Sequence, residues 1–233
     1  KYSFFAHQQN LLLQKANYIF AVSEPIKRKL EASGKNVDLL LPGTNFFYNK
    51  RALLKPKIFN EETIIEISYM GFINERIDFT LLDLISKNIN CIIHLVGPIE
   101  NIRNEKLYNP NIVLHNPKYG KELINFLSKM DILIMPYKVK GKYSRIADNV
   151  SAPNKLFTYF SAGRPVITTN LPNLIKLPNG FIYKANNNKK FISLIEKAFS
   201  EDSIKLRKKR ISFAKENTWE KRIKILIKKI ESD

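Results

Sequence analysis

The sequence predicts an α/β fold with a doubly wound parallel sheet, and two observations carry that prediction. From Ile64 onward, short apolar runs alternate with segments of helical period: strands near 64–70, 91–96, 112–115, 132–135, 166–169 and 181–183, helices near 78–87, 120–129, 153–162 and 189–200. The runs are apolar throughout rather than at every second residue, as in strands covered on both faces by crossover helices. Ligands of such sheets bind beyond the carboxyl ends of the strands, so the residues after each run are the first candidates for a site.

With 44% apolar and 26% charged residues over 233 positions, the chain can bury the core of one large domain or two small ones. Its single cysteine, Cys91, excludes an internal disulfide and reads as a small buried hydrophobe in a reducing compartment. The formal net charge of +18 attracts nucleic acid, anionic lipid or small anionic substrates without choosing among them. No apolar stretch reaches the roughly 18–20 residues that a membrane-spanning helix needs. The sequence starts at Lys1 rather than at a methionine and is expected to be a piece of a longer chain.

In chain order, Phe4, Leu11, Leu12 and the pair Lys15-Ala16 recur over helical turns, which predicts a helix over 1–17 running into the strand-like Tyr18-Ile-Phe-Ala-Val22. Ser23-Glu-Pro25 starts a helix over 26–32 that Gly34 stops. A strand over 37–41 ends at Pro42-Gly43-Thr44-Asn45. Residues 46–62 keep no period and read as an interdomain connection. The chain therefore divides into the tail of a first domain (1–48), a linker (49–63), the main α/β domain (64–215) and a terminal helix (216–233).

Within the main domain, Gly71 follows a strand and leaves room for a ligand against the backbone. Asp78 is placed to cap the next helix, and Arg76 either binds an anion or is solvated. A lone His115 at a strand end reads as structural or as a ligand contact, whereas His94 inside a strand reads as structural. Asp131 precedes the run Ile132–Met135 and the pair Pro136-Tyr137. A loop over 138–151 follows, holding Lys138, Lys140, Lys142, Arg145, Asp148 and Asn149; these charges either face an anion or are solvated.

The stretch 149–169 has the most complete punctuation. Ser151 stands near the cap of the predicted helix and Pro153 suits its first position, where the missing N–H had no partner to lose. Leu156, Phe157, Phe160 and Ala162 mark a buried face, and Gly163 stands where a left-handed terminal residue is wanted. Lys155 falls in the first turn. The partial positive charge and free N–H groups of a helix start, joined by that lysine, suit a phosphate or diphosphate; the plain alternative is a lysine pointing into water. Thr158 lies one turn further along the same side.

Two amphipathic helices close the chain, over 204–215 and 219–230. In the second, Ile223, Leu226, Ile227 and Ile230 form a stripe with Lys and Arg opposite, a pattern that also fits a membrane surface.

The run Pro153-Asn-Lys155-Leu-Phe-Thr158-Tyr-Phe-Ser-Ala-Gly163-Arg-Pro165-Val resembles the Pro-Leu-Lys-x-x-Glu-Tyr-x-Ala-x-Gly-Lys-Pro-Val signature in the donor-binding half of GT-B glycosyltransferases. The likeness is greatest to bacterial polysaccharide enzymes of the group 1 and xanthan glucuronosyltransferase types. It continues, less specifically, in Gly71-Phe72-Ile-Asn-Glu-Arg76-Ile-Asp78, in Leu114-His115-Asn116-Pro117, in Met130-Asp131 through Tyr137 and in Thr218-Trp219-Glu. Tyr18 to Ser23 and Leu39 to Phe46 resemble the last units of the acceptor domain. Three positions depart from the pattern: Thr158 for a glutamate that contacts the ribose, Phe72 for a phosphate-binding arginine, a role Arg76 is free to take, and Asn116 for a glycine.

The resemblance implies a Rossmann-like domain that binds a nucleotide-sugar donor, with a glycan or lipid-linked molecule as acceptor. It implies Lys155 as the catalytic group on the diphosphate, and Gly71, Phe72, Arg76, His115, Asn116, Arg145, Ser151, Pro153, Asn154 and Thr158 around the donor. No cofactor and no metal are expected: no Asp-x-Asp occurs, so Lys155, nearby arginines and the helix start would meet the leaving-group charge. A catalytic base is expected in the absent N-terminal part, so this piece alone should bind donor weakly and transfer no sugar. The implied location is cytoplasmic, peripheral on an anionic inner membrane face.

Two rival readings stand beside it. A GT-B-like sugar-nucleotide epimerase would need an acid/base pair near the motif, and none is evident. A basic nucleic-acid-binding module fits the charge, but no recognition motif occurs and the aromatics fall in apolar runs, so nucleic acid is not an expected partner.

Overall fold

The structure, a computed structural model, describes residues 2–100, 102 and 108–232. Lys1 and Asp233, the outer ends of the first and last predicted segments, and the side chain of Phe4 lie outside the described residues. The chain runs α1 (Tyr2–Lys15), β1 (Phe20–Ala21), α2 (Glu24–Glu31), β2 (Asp38–Leu39), β3 (Ile65–Met70), α3 (Phe79–Asn88), β4 (Cys91–Val96), β5 (Ile112–His115), α4 (Gly120–Leu127), β6 (Ile132–Met135), α5 (Ser144–Asp148), α6 (Lys155–Ser161), β7 (Val166–Thr169), β8 (Ile182–Ala185), α7 (Asn188–Glu201), α8 (Ile204–Glu216) and α9 (Trp219–Glu231).

Six strands form one parallel sheet in the order β5-β4-β3-β6-β7-β8. The chain winds outward from β3 to β5, returns to the centre and winds outward again from β6 to β8, so its direction reverses between β3 and β6. At such a reversal the connections leave in opposite directions and open a crevice at the carboxyl ends of the two central strands.

Alternate residues of β3 serve two cores. Ile65, Ile67 and Tyr69 join α3 and α7 on one face, while Met70 packs with Leu156, Tyr159 and Phe160 of α6 on the other. Cys91 is buried in the first, and burial holds its thiol up at about 12, out of thiolate chemistry. The covering is less complete than the apolar runs suggest: β5 is an edge strand, with Val113 and Leu114 about two-fifths exposed at 39% and 41%.

Three local expectations are corrected. Residues 144–148, expected as loop, wind into α5 after a 3₁₀ turn at Gly141–Tyr143. Pro153 lies ahead of α6 rather than at its first position; its carbonyl accepts the Leu156 N–H at 2.9 Å while Asn154 already has helical dihedrals. Ser151 does not cap α6, because its hydroxyl accepts the N–H of Glu24 at 3.0 Å and so helps to cap α2. The 49–63 segment packs on the domain: Ala52 is fully buried, and Lys57 pairs with Asp131 at 2.7 Å. Gly163, by contrast, adopts the left-handed φ of 75° expected of it, and Asp78 caps α3 by accepting from Leu81 N.

A buried charged cluster fastens α8 to the domain. Asp202 accepts from Arg207 Nε and Arg210 Nη1, each at 2.6 Å, while Arg210 also donates to Gly163 O and Gly180 O and Arg207 to Leu54 O. Beyond it, α9 turns back onto the N-terminal segment. Thr44 N donates to Asn217 O at 3.0 Å and Trp219 N to Thr44 O at 3.2 Å, and a side chain at Gly43 would collide with that backbone at 2.8 Å. The Tyr18 hydroxyl also donates to Ile230 O, and Lys229 pairs with Asp38.

Candidate functional site

The crevice between β3 and β6 opens into a cavity of about 420 Å³. Its walls are the loop after β3 (Gly71, Phe72, Asn74, Arg76), the segment from Tyr137 to Lys155, and Val22, Ser23 and Pro42 from the N-terminal segment. Among the described residues three cations, Arg76, Lys138 and Lys155, line it, and no carboxylate does. Such a site is built for an anion.

Lys155 is fixed through its helix. One turn on, Tyr159 is fully buried; its hydroxyl accepts the Met70 N–H at 2.8 Å and donates to Ile134 O at 3.3 Å, which pins α6 across the ends of β3 and β6. Residues four apart share a helix side, so this anchoring aims Lys155 into the same crevice. Its Nζ lies 3.9 Å from the centroid of the Tyr69 ring and 5.4 Å from that of Tyr137. Gly71, at φ 134°, makes room for it: a Cβ there would stand 2.6 Å from Nζ. Among the described residues no carboxylate pairs with this ammonium. Burial, helped by the neighbouring Arg76 charge, pulls its pKa down to about 7.

The two tyrosines meet edge to face, their centroids 6.3 Å apart at 86°. Tyr69 OH donates to Phe72 O at 3.1 Å, and burial raises its pKa to about 12, so it stays a neutral phenol. The Arg76 guanidinium sits over the Tyr137 ring at 5.7 Å.

Of the residues singled out from sequence, Gly71, Phe72, Arg76, Ser151, Pro153, Asn154 and Lys155 meet at the cavity. His115, Asn116, Arg145 and Thr158 do not line it. Asn116 and Arg145 are exposed, and Thr158 shares a 3.0 Å hydrogen bond with Thr44. His115 is drawn away into a side-chain chain across β3, β4 and β5: Glu66 Oε2 lies 2.6 Å from His94 Nε2, and His94 Nδ1 2.8 Å from His115 Nε2. A carboxylate only accepts, so His94, when neutral, donates from Nε2 and accepts from His115. Burial, then the neighbouring His94 and Lys118, lower the pKa of His115, which keeps the His115 ring neutral.

Of the basic loop, Lys138 and Asn149 reach the cavity, whereas Lys142 turns out to Glu75 at 3.0 Å. Sequence reasoning gave Tyr69 and Tyr159 no role, because tyrosines inside apolar runs read as core, and named Tyr137 only within the motif that ends β6. The signal for Tyr69 and Tyr137 was position, at the ends of the two strands that flank the reversal.

A family model described as Glycosyl transferases group 1 matches residues 67–201. A curated Bacillus subtilis (strain 168) protein, assigned to teichuronic acid biosynthesis as the glycosyltransferase TuaH, is 26% identical over 224 residues, covering 89% of this chain and 55% of its own. Among solved structures, Anabaena Alr3699/HepE in complex with UDP-glucose superposes with a TM-score of 0.70 at 8% identity, over 96% of this chain and 66% of that one. The lipopolysaccharide outer core galactosyltransferase WaaB, in its apo form, gives 0.64 at 13% identity, over 93% and 62%. The chain thus spans about half the length of the curated relative and less than two thirds of the two superposed structures. Among the described residues no helix is long and apolar enough to cross a membrane, and no group of three or more His, Cys, Asp or Glu could hold a metal ion.

Proposed function

Because the chain belongs to the glycosyl transferases group 1 family, we propose that its cavity holds the diphosphate of a nucleotide-sugar donor and that the whole protein passes the sugar to a glycan or lipid-linked acceptor in polysaccharide synthesis. The observation that carries this reading is the Lys155 ammonium, held at Gly71 on the β3–β6 crevice with no carboxylate among the described residues to neutralise it. Breaking the bond between sugar and diphosphate leaves growing negative charge on the departing phosphate. Lys155, Arg76 and Lys138 meet that charge in a partly dehydrated cleft, where fixed cations act more strongly than in water. On this reading the leaving group needs no metal. The UDP-glucose in the HepE structure and the role assigned to TuaH support a nucleotide-sugar donor and a polysaccharide product. Calorimetry with UDP, GDP and dTDP on wild type and Lys155→Ala tests it: lost affinity in the variant is expected, and unchanged affinity removes the diphosphate assignment.

Attachment to an anionic membrane on the cytoplasmic side is a second reading, favoured by α9. Ile223, Ile227 and Ile230, on one side of the helix, are 44–53% exposed, with Lys224 and Lys228 beside them, as on helices that lie in a lipid interface. Co-sedimentation with phosphatidylglycerol vesicles should exceed that with phosphatidylcholine and fall in Ile223→Asp/Ile227→Asp; equal sedimentation of wild type with both lipids sinks it.

A further inference from the structure

We propose that Tyr69 and Tyr137 are positioning residues for the donor diphosphate: their ring faces hold the Lys155 ammonium above Gly71 and so set where the phosphate docks. This rests on the reading of the cavity as a diphosphate site. A lysine in a phosphate site is commonly steadied by a carboxylate, which partly cancels the charge the ligand needs. Here the steadying groups are π-faces. The ring quadrupole attracts the ammonium and leaves its full charge and its three N–H donors for an incoming anion.

The arrangement of the groups supports this. The edge-to-face contact sets the two rings as perpendicular walls, with Nζ 3.9 Å from one centroid and 5.4 Å from the other. The Tyr69 hydroxyl is tied to Phe72 O, so the wall on the β3 side cannot swing away. From the loop after β3, the charge facing Lys155 is Arg76, itself stacked on Tyr137. From the segment after β6 come Tyr137 and Lys138, the latter turned toward the Tyr143 ring at 5.6 Å. The nearby carboxylate, Glu75, is engaged by Lys142. Among the described residues this lysine is therefore held by rings and repelled by the Arg76 guanidinium, and an anion bridging Lys155 and Arg76 would relieve that repulsion.

The test is UDP calorimetry from about pH 5.5 to 8.5, across the ordinary range of protein titration, on wild type, Lys155→Ala, and the Phe and Leu variants of Tyr69 and Tyr137, with a thermal melt for each. The Phe variants keep a ring and should bind more tightly than the Leu variants, with Tyr69→Phe losing only the part that depends on its tie to Phe72 O. The Leu variants should bind about three- to tenfold more weakly than wild type, the scale of a partly desolvated cation–π contact. In wild type the affinity should fall as pH rises through about 7, where Lys155 gives up its proton. In the Leu variants that fall should come at lower pH, because the charged form has lost its rings; Lys155→Ala shows only the titration of UDP itself. Leu variants that melt, bind and titrate as wild type overturn the positioning role. Lys155→Ala binding as wild type overturns the underlying diphosphate reading instead. Should the Leu variants not fold, a ¹H–¹³C spectrum of ¹³C-lysine-labelled wild type decides, assigned by the signal lost in Lys155→Ala. Ring-current displacement of the Lys155 Hε signals is expected, and ordinary lysine shifts overturn the proposal.

Discussion

The hydroxyls of Thr44 and Thr158 lie 3.0 Å apart and join the loop after β2 to the middle of α6 across 114 residues of sequence. Thr158, one of the three departures from the family signature, is thus used to hold the N-terminal segment against the helix that carries Lys155. Thr158→Val is expected to cost about 1 kcal/mol of stability in urea unfolding, as for one hydrogen bond lost. Its UDP affinity should remain within about threefold of wild type, since a part-buried contact outside the cavity is lost and the phosphate-facing charges are kept. A collapse of affinity in this variant would place Thr158 at the ligand after all.

Gly71 and Gly97 should respond differently to alanine. Both hold positive φ, 134° and 145°, a strain of roughly 1–3 kcal/mol for a residue with a Cβ. At Gly97 the new Cβ would also stand 2.2 Å from the Gly71 carbonyl oxygen, which is fixed backbone; at Gly71 it meets the mobile tip of Lys155. Gly97→Ala should therefore lower the melting temperature more, while Gly71→Ala should lose UDP affinity at a smaller cost in melting temperature. Reversal of that order in paired melts and titrations would contradict the geometry.

Asp202 is the carboxylate shared by the buried Arg207 and Arg210. Replacing it with asparagine leaves two buried guanidiniums uncompensated, a loss expected at about 3–5 kcal/mol. Urea unfolding of Asp202→Asn measures it, with UDP binding at low temperature unchanged where the protein remains folded.

The lowered pKa of Lys155 fixes a sign for stability against pH. Between about 7, its folded value, and 10.5, its ordinary value, the unfolded chain holds a proton that the folded chain does not. Stability contributed through this group therefore rises with pH across that window and is lowest below it. Lys155→Met should be more stable than wild type near pH 7, and the difference should shrink toward pH 10. A difference that stays constant in urea titrations at several pH values would show that burial does not shift this lysine.

The alternation of strand and helix, the buried runs from Cys91 to Val96 and from Ile132 to Met135, the Gly163 stop and the first-turn Lys155 were legible along the chain, because each is set by local period, dihedral preference or capping chemistry. Folding alone made Tyr69 and Tyr137 face the same ammonium, drew His115 into a chain with His94 and Glu66, and turned Ser151 to α2 rather than α6. Those outcomes depend on which strands lie side by side and on the reversal between β3 and β6. Strand order is a property of long-range packing, and no spacing along the chain encodes the distance between residues 69 and 155.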